Sequence, residues 1–346
     1  MNLYREFVKV GVIGVGAMGQ RHCRVFSNLH HTQLVGVCDT NTSMAHQVAE
    51  KYGTSVFSTI EELLSHVDAV SIATPTPAHF HIAQKCLAHG KHVFLEKPMT
   101  ATVTEAEMLV EMACNSGLVV QIGHIERFNP TYLELTHVLA DKQVAAFEFK
   151  RLSAYDASNT DVCVVLDLMI HDIDLVLDLM NGAEPDVIEA TGVSVFSNTV
   201  DHATAQLVFP TGAIFTLIAS RITEQKIRTI EATTLDAYVE ANLLNKSVRV
   251  HRRTFAEYIS PNYNGVKYRQ ESLVESIHVP AFEPLMLELE HFANCIVHRA
   301  VPRVTARDGC QAIKIAEAIK ARINSHLIHL NNQQRAERRV ATLVPA

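Results

Sequence analysis

Apolar and polar positions change their rhythm about a third of the way along the chain. Up to residue 124, short apolar runs alternate with segments of helical period. The runs are Val8–Val15, Leu34–Cys38, Ala69–Ala73, His92–Leu95 and Val119–Gly123. The helical patterns are Gln20–Leu29, Ser43–Tyr52, Thr59–Leu64, Ala78–His89 and Thr104–Asn115. Apolar strands separated by helices predict βαβ units, hence a doubly wound parallel sheet covered on both faces.

Beyond about residue 125 the period falls to two. Val144–Leu152, Val187–Phe196, Thr204–Phe209, Ala213–Ser220, Arg228–Thr234, Ala237–Leu243 and Ser247–His251 alternate in this way. Turn signals at Phe209–Ala213 and Leu244–Lys246 separate them, which predicts a large, mostly antiparallel open sheet. One helix, Val164–Met180, interrupts the sheet. Glu283–Ser325 returns to helical spacing through Leu285, Leu289, Phe292 and Ile296. An open sheet needs cover on its second face. Phe147, Phe149, Val193, Val195, Leu207, Phe209, Phe215 and Leu217 are the expected apolar outer face. Sheet-on-sheet packing through them predicts a homodimer or homotetramer.

The chain of 346 residues is long enough for two domains, and 48% apolar with 19% charged residues supplies a sizeable core. A net charge of −7 argues against nucleic acid as a partner. The start, MNLYREFVKV, lacks a signal-peptide pattern, and no apolar run is long enough to span a bilayer. Seven scattered cysteines without C-x-x-C suit a reducing, cytoplasmic setting. His79-Phe80-His81 lacks a third ligand at a recognisable spacing, so no metal site is expected.

Chemistry enters at VKVGVIGVGAMG, residues 8–19, where an apolar strand runs into Gly14-x-Gly16-x-x-Gly19. The first glycine makes a tight turn, the second admits a pyrophosphate, and the third lets helix pack on strand. Ala17 and Met18 open the helix whose N-terminus would face that anion. Asp39 ends the second strand, 20 positions after Gly19. Its carboxylate suits the ribose 2′-OH and repels a 2′-phosphate, and Thr40-Asn41-Thr42 offers no arginine. NAD is therefore expected over NADP. A helix-capping role for Asp39 is compatible with this. The domain expectation is a Rossmann domain over 1–124, a substrate-binding and oligomerisation domain over 125–330, and a polar tail over 331–346.

Other candidates also sit at strand ends or on helices. In HVFLEKPM, a strand closes on Glu96-Lys97-Pro98, with Pro98 a candidate for a cis bond. Lys97 beside a nicotinamide would bind a substrate hydroxyl and stabilise an alkoxide, or it is an ordinary exposed lysine. In ATPTPAH, the prolines hold Thr74, Pro75, Thr76 and His79 in an extended loop beside the nicotinamide ribose, or simply connect strand to helix. On Val164–Met180, Asp167 and His171 stand at i and i+4. Either they form an oriented general base, or Asp167, His171, Asp174 and Asp178 are an acidic solvated stripe. Arg127 and Asn129 of GHIERFNP, and the segment Tyr155–Asp161, are candidates for substrate contact. The preferred reading of Arg127 is a salt bridge that fixes the interdomain hinge.

Taken together, GVGAMG, ATPTPAH, LEKP and the Asp167-x-x-x-His171 helix resemble the Gfo/Idh/MocA family of sugar and cyclitol oxidoreductases. EPLMLELEHFANCI and VPRVTARDGCQAI are similar to that family's C-terminal end, so the likeness covers about residues 8–325. It implies a Rossmann domain and an open-sheet α/β domain. It also implies a catalytic set of Lys97, Asp167 and His171. Glu96 is a further candidate for cofactor contact. GHIERFNP and TDVCVVLDLMIHDIDLV look similar to dehydrogenases acting on the 3-hydroxyl of UDP-N-acetylglucosamine. The alternatives are a dehydrogenase of a free cyclitol or hexose, and a non-catalytic dinucleotide or sugar sensor.

Overall fold

The computed structural model of the protein describes residues 7–156, 162–259 and 266–343. It divides into two compact units, Met1–Phe128 with Phe282–Lys314, and Asn129–Ala281 with Ile315–Ala346. The first unit holds a six-stranded parallel sheet in the order β3-β2-β1-β4-β5-β6. Its strands are β1 (Val8–Ile13), β2 (Thr32–Cys38), β3 (Ser55–Val56), β4 (Ala69–Ile72), β5 (His92–Glu96) and β6 (Val120–Gly123). Both faces of β4 are buried throughout, which is why it reads as an unbroken apolar run.

Helices α1 (Ala17–Phe26), α2 (Thr42–Tyr52), α3 (Ile60–Leu64), α4 (His79–Ala88) and α5 (Val103–Ser116) alternate with these strands. Their ends follow local chemistry. Asn41 accepts from the Met44 amide at the start of α2, and left-handed Gly53 stops it. Thr102 and Glu105 form a capping box on α5, and Gly117 ends it. The two-residue strand β3 is too short to show a period and is absent from the sequence reading.

The second unit opens on α6 (Pro130–Leu139), another element the sequence reading lacks. Its eight-stranded sheet runs β14-β13-β12-β11-β7-β10-β9-β8. The strands are β7 (Val144–Leu152), β8 (Val187–Val193), β9 (His202–Val208), β10 (Ile214–Ser220), β11 (Ile227–Thr234), β12 (Ala237–Asn242), β13 (Ser247–Ile259) and β14 (Val266–Ile277). Only the β7–β10 pair is parallel. A π turn, Val165–Met169, precedes α7 (Ile170–Leu179), and both pack on β10.

This packing corrects the expected outer face. Phe147, Phe149, Leu207, Phe209, Phe215 and Leu217 are all buried within the chain. Phe147 stacks on Phe215 at 4.6 Å, and Phe209 meets Phe215 edge-on at 5.2 Å. The opposite face is polar. Lys150 pairs with Glu148 and Glu231, the Tyr238 hydroxyl donates to Glu231 at 2.6 Å, and His251 meets Glu240 at 2.8 Å. Val193 and Val195 alone of the expected set are exposed.

The C-terminal helices are α8 (Pro284–His298) and α9 (Ala306–Leu343), broken at left-handed Arg299. The boundary drawn at 125 also changes here. Leu285, Leu289, Phe292 and Cys295 of α8 join the core cluster of β1, α1 and β2, so residues 282–314 belong with the first unit. Backbone helix continues through most of the expected tail, while residues 344–346 lie outside the described residues.

Candidate active site

The carboxyl edge of the parallel sheet shows why its glycines are glycines. Gly14 has φ of +85°, and a Cβ there would meet the Ala73 carbonyl oxygen at 2.8 Å. A Cβ on Gly19 would fall 1.9 Å from the Gly14 carbonyl oxygen. Gly16 opens instead to free space and caps α1 with no side-chain bond, leaving the helix N-terminus available. Asp39 Oδ2 accepts from the Val15 amide at 2.7 Å and Oδ1 from the Asn41 amide at 2.8 Å. The carboxylate at the end of β2 is thereby locked against the glycine turn. Thr74 Oγ1, beside Gly14, is buried with no hydrogen-bond partner. An uncapped helix N-terminus, a turn closed to side chains and an unsatisfied hydroxyl fit the phosphates and ribose of a dinucleotide.

Next along this edge stands Lys97, half-buried after β5, with a cis bond to Pro98. Glu96 points inward. Its Oε1 lies 3.0 Å from Nε2 of fully buried His22, and its Oε2 accepts from the Lys97 amide at 3.1 Å. His22 Nδ1 is 2.7 Å from Ser71 Oγ. Burial pushes the Glu96 carboxyl up, but His22 and Lys97 outweigh it and hold it below the usual carboxylate range. Gly123 leaves room for this carboxylate, because a Cβ there would sit 3.2 Å from it. Neither His22 nor Ser71 lies in a motif of the sequence that points to this contact. The available signal was position: His22 follows Gly19 by three residues and so shares the sheet-facing side of α1.

His79 is also turned inward, at 1% exposure. Its Nε2 lies 2.8 Å from the Thr74 carbonyl and its Nδ1 2.9 Å from the Pro98 carbonyl. Burial lowers its pKa, with the two carbonyls opposing. It clasps the loops carrying Thr74 and Pro98 rather than facing a ligand, while Pro75 is exposed and Thr76 half-buried between them.

Two further candidates make contacts within their own units. Arg127 is 3% exposed and donates to Asp308 at 3.3 Å and to the Arg303 carbonyl at 3.4 Å. These contacts tie Arg127 to the start of α9 and the residues just before it. Asn129 accepts from the Thr131 amide at 3.0 Å and caps α6. Of the Tyr155–Asp161 segment, Tyr155 is exposed, and residues 157–161 lie outside the described residues.

In the second unit, Asp167 sits within the π turn and His171 one turn later, both half-buried. Extra-wide turns of this kind recur at functional positions. The helix is not an amphipathic rod with a solvated acidic stripe. Asp172 and Asp174 are buried, and Asp178 accepts from the Tyr132 hydroxyl at 2.6 Å. Arg151 holds Asp172 in a bidentate pair at 2.7 to 3.0 Å, with side chains 2% and 4% exposed. These ties fix the helix that presents Asp167 and His171. Among the described residues, no group of three His, Cys, Asp or Glu side chains could hold a metal ion. No described helix is long and apolar enough to cross a membrane.

Comparison with known proteins agrees with this architecture. The chain is 35% identical, over 85% of its length and 90% of the relative's, to a UDP-N-acetylglucosamine 3-dehydrogenase of Acidithiobacillus ferrooxidans. A solved structure of that enzyme superposes with a TM-score of 0.83 at 32% identity, covering 92% of this chain and 98% of the other. A scyllo-inositol 2-dehydrogenase (NAD(+)) of Bacillus subtilis is 26% identical over 90% of this chain and 92% of its own. Residues 8–124 match the Gfo/Idh/MocA oxidoreductase family with its NAD-binding Rossmann fold, and residues 139–237 match the family's C-terminal domain. The chain belongs to the Gfo/Idh/MocA family of oxidoreductases.

Proposed function

We propose that the protein oxidises the 3-hydroxyl of UDP-N-acetylglucosamine, or of a related nucleotide sugar, to a ketone with NAD in preference to NADP. The observation that carries this is the 35% identity over 85% of the chain to an enzyme of that name. Gly14, Gly16, Ala17, Met18 and Gly19 would cradle the pyrophosphate, with Thr74, Pro75 and Thr76 along the nicotinamide side. Asp39 would accept from the adenosine ribose, and its carboxylate would repel a 2′-phosphate. Bound NAD supplies the hydride acceptor. His171 would take the hydroxyl proton, Asp167 would tune and position His171 and Lys97, and the Lys97 ammonium would stabilise the developing alkoxide. Glu96 and His79 act by positioning the loops around Lys97.

A free cyclitol is the second reading, and the Bacillus subtilis inositol enzyme among the relatives favours it. A second copy of the chain against the polar sheet face would complete a dimer or tetramer, which light scattering at micromolar concentration would detect. Seven free cysteines suit a reducing cytoplasm.

The test is reduced-nicotinamide absorbance with NAD or NADP and UDP-N-acetylglucosamine, UDP-glucose, inositol or glucose, with and without 2-oxoglutarate to reoxidise retained cofactor. Turnover with NAD and UDP-N-acetylglucosamine is expected. Turnover with inositol or glucose alone replaces the nucleotide-sugar reading, and a clear NADP preference removes the role given to Asp39.

A further inference from the structure

Two aromatic side chains stand exposed at the edge of the second unit where the Asp167–His171 helix begins. Phe196 is 61% and Tyr155 40% exposed, and their rings meet edge-on at 5.0 Å. Single exposed apolar residues are ordinary on a protein surface, but this pair is held in place. The clamp is Asp201, whose side chain is fully buried. Its Oδ2 accepts from three successive amides, Val195 and Phe196 at 2.8 Å and Ser197 at 3.0 Å. Its Oδ1 accepts from Ser197 Oγ at 2.6 Å and lies 3.3 Å from the Arg221 guanidinium.

The same clamp reaches the catalytic helix. Arg221 donates to the carbonyls of Val162 and Val200, and the Val164 amide, one residue before the π turn, donates to the Val200 carbonyl at 2.9 Å. The loop that presents Phe196 is therefore tied directly to the start of the segment that presents Asp167 and His171. Tyr155 lies three residues after β7, whose Arg151 anchors Asp172 on that helix.

We infer that Tyr155 and Phe196 form a stacking platform for the planar pyrimidine ring of the nucleoside diphosphate part of the substrate. This rests on the nucleotide-sugar reading above and adds to it the residues that recognise the base. A pyrimidine has a flat π face that an aromatic ring held in a fixed orientation can cover. A free cyclitol has no such face. Pre-ordering the loop through Asp201 lowers the entropy lost when the base docks.

The experiment uses the full chain and two ligands, UDP and NAD, with affinities measured by calorimetry, and the KM for UDP-N-acetylglucosamine. Phe196→Ala should weaken UDP about ten-fold, the size of one base–aromatic stack. It should raise the KM for the sugar nucleotide in parallel and leave NAD affinity alone. Tyr155→Ala should act in the same direction, and Phe196→Trp should restore UDP binding. Because both rings are exposed, thermal unfolding of the variants should match that of the parent protein.

If the parent protein turns over UDP-N-acetylglucosamine while both alanine variants keep its UDP affinity, the platform is wrong and the nucleotide-sugar reading stands. If the variants instead change the oligomeric state without weakening UDP, the rings are a subunit contact and the inference is overturned. If the parent binds no UDP and oxidises only a free polyol, both readings fall together.

Discussion

The two units hold their candidate residues by different means. In the first, the geometry is mostly local. Gly14, Gly16 and Gly19 shape a turn within six residues, and Asp39 reaches back to the Val15 amide from the neighbouring strand. In the second, the Asp167–His171 helix is held by long-range pairs: Arg151 to Asp172, Tyr132 to Asp178, and the Asp201–Arg221 clamp at its entrance. A backbone turn demands particular residues at particular spacings and therefore leaves a motif. A buried ion pair demands only that two opposite charges meet, and it leaves no fixed spacing. A glycine turn can therefore be read as a pattern, whereas the ion pairs that hold a helix must be seen.

The largest expected effect takes one group from each unit. Lys97→Ala and His171→Ala should each lower turnover by about 10²- to 10⁴-fold while NAD still binds, because cofactor contacts and proton transfer are separate tasks. Turnover of the variants, set beside NAD affinity from nicotinamide fluorescence, checks this. A fall of only a few-fold in either variant would remove the role given to that residue.

Next comes the support of the helix. Asp172→Ala leaves the Arg151 guanidinium buried without its carboxylate, and should cost about 3–5 kcal/mol of stability in urea unfolding. A loss below about 1 kcal/mol, the range of an exposed pair, would mean that the Arg151–Asp172 pair is not what anchors α7.

The smallest effect concerns the clamp. Hydrogen bonds from Ser197 and from the Val195 and Phe196 amides overcome burial and hold the Asp201 carboxyl at about 2, below its usual 3.8. A carboxyl depressed by folding contributes stability that is fully present above the unfolded value. That contribution is lost as pH falls from about 4 toward 2. Asp201→Asn should therefore lower stability at neutral pH by about 2 kcal/mol and flatten this acid limb. Superimposable acid-unfolding curves for the two proteins would show that Asp201 is not the group responsible.

Much of the first unit was legible. Its strands and helices appear within a few residues of the sequence reading, except for β3, whose two residues carry no period. Lys97 stands at a strand end as expected, and its bond to Pro98 is cis. Glu96 and His79 were placed correctly along the chain, but which way their side chains turn depends on His22, Ser71 and two carbonyl groups from elsewhere. Arg127 meets Asp308, 181 residues away, a contact that no local spacing could announce.

By itself the sequence determined the alternation of strand and helix, the parallel and antiparallel sheets, the glycine turn with its acid, and the presence of lysine, aspartate and histidine in family-like motifs. Each of these depends on neighbours within one turn or one strand pair, where sterics and hydrophobic period act directly on the chain. Only the tertiary structure decided which face of the eight-stranded sheet is covered, that α8 joins the first unit's core, and that Asp172 and Asp174 of α7 are buried, with Asp172 paired to Arg151. A period of two says that a strand has two unlike faces but not which partner covers either one. Burial of a charge is decided by whether an opposite charge arrives from a distant part of the chain.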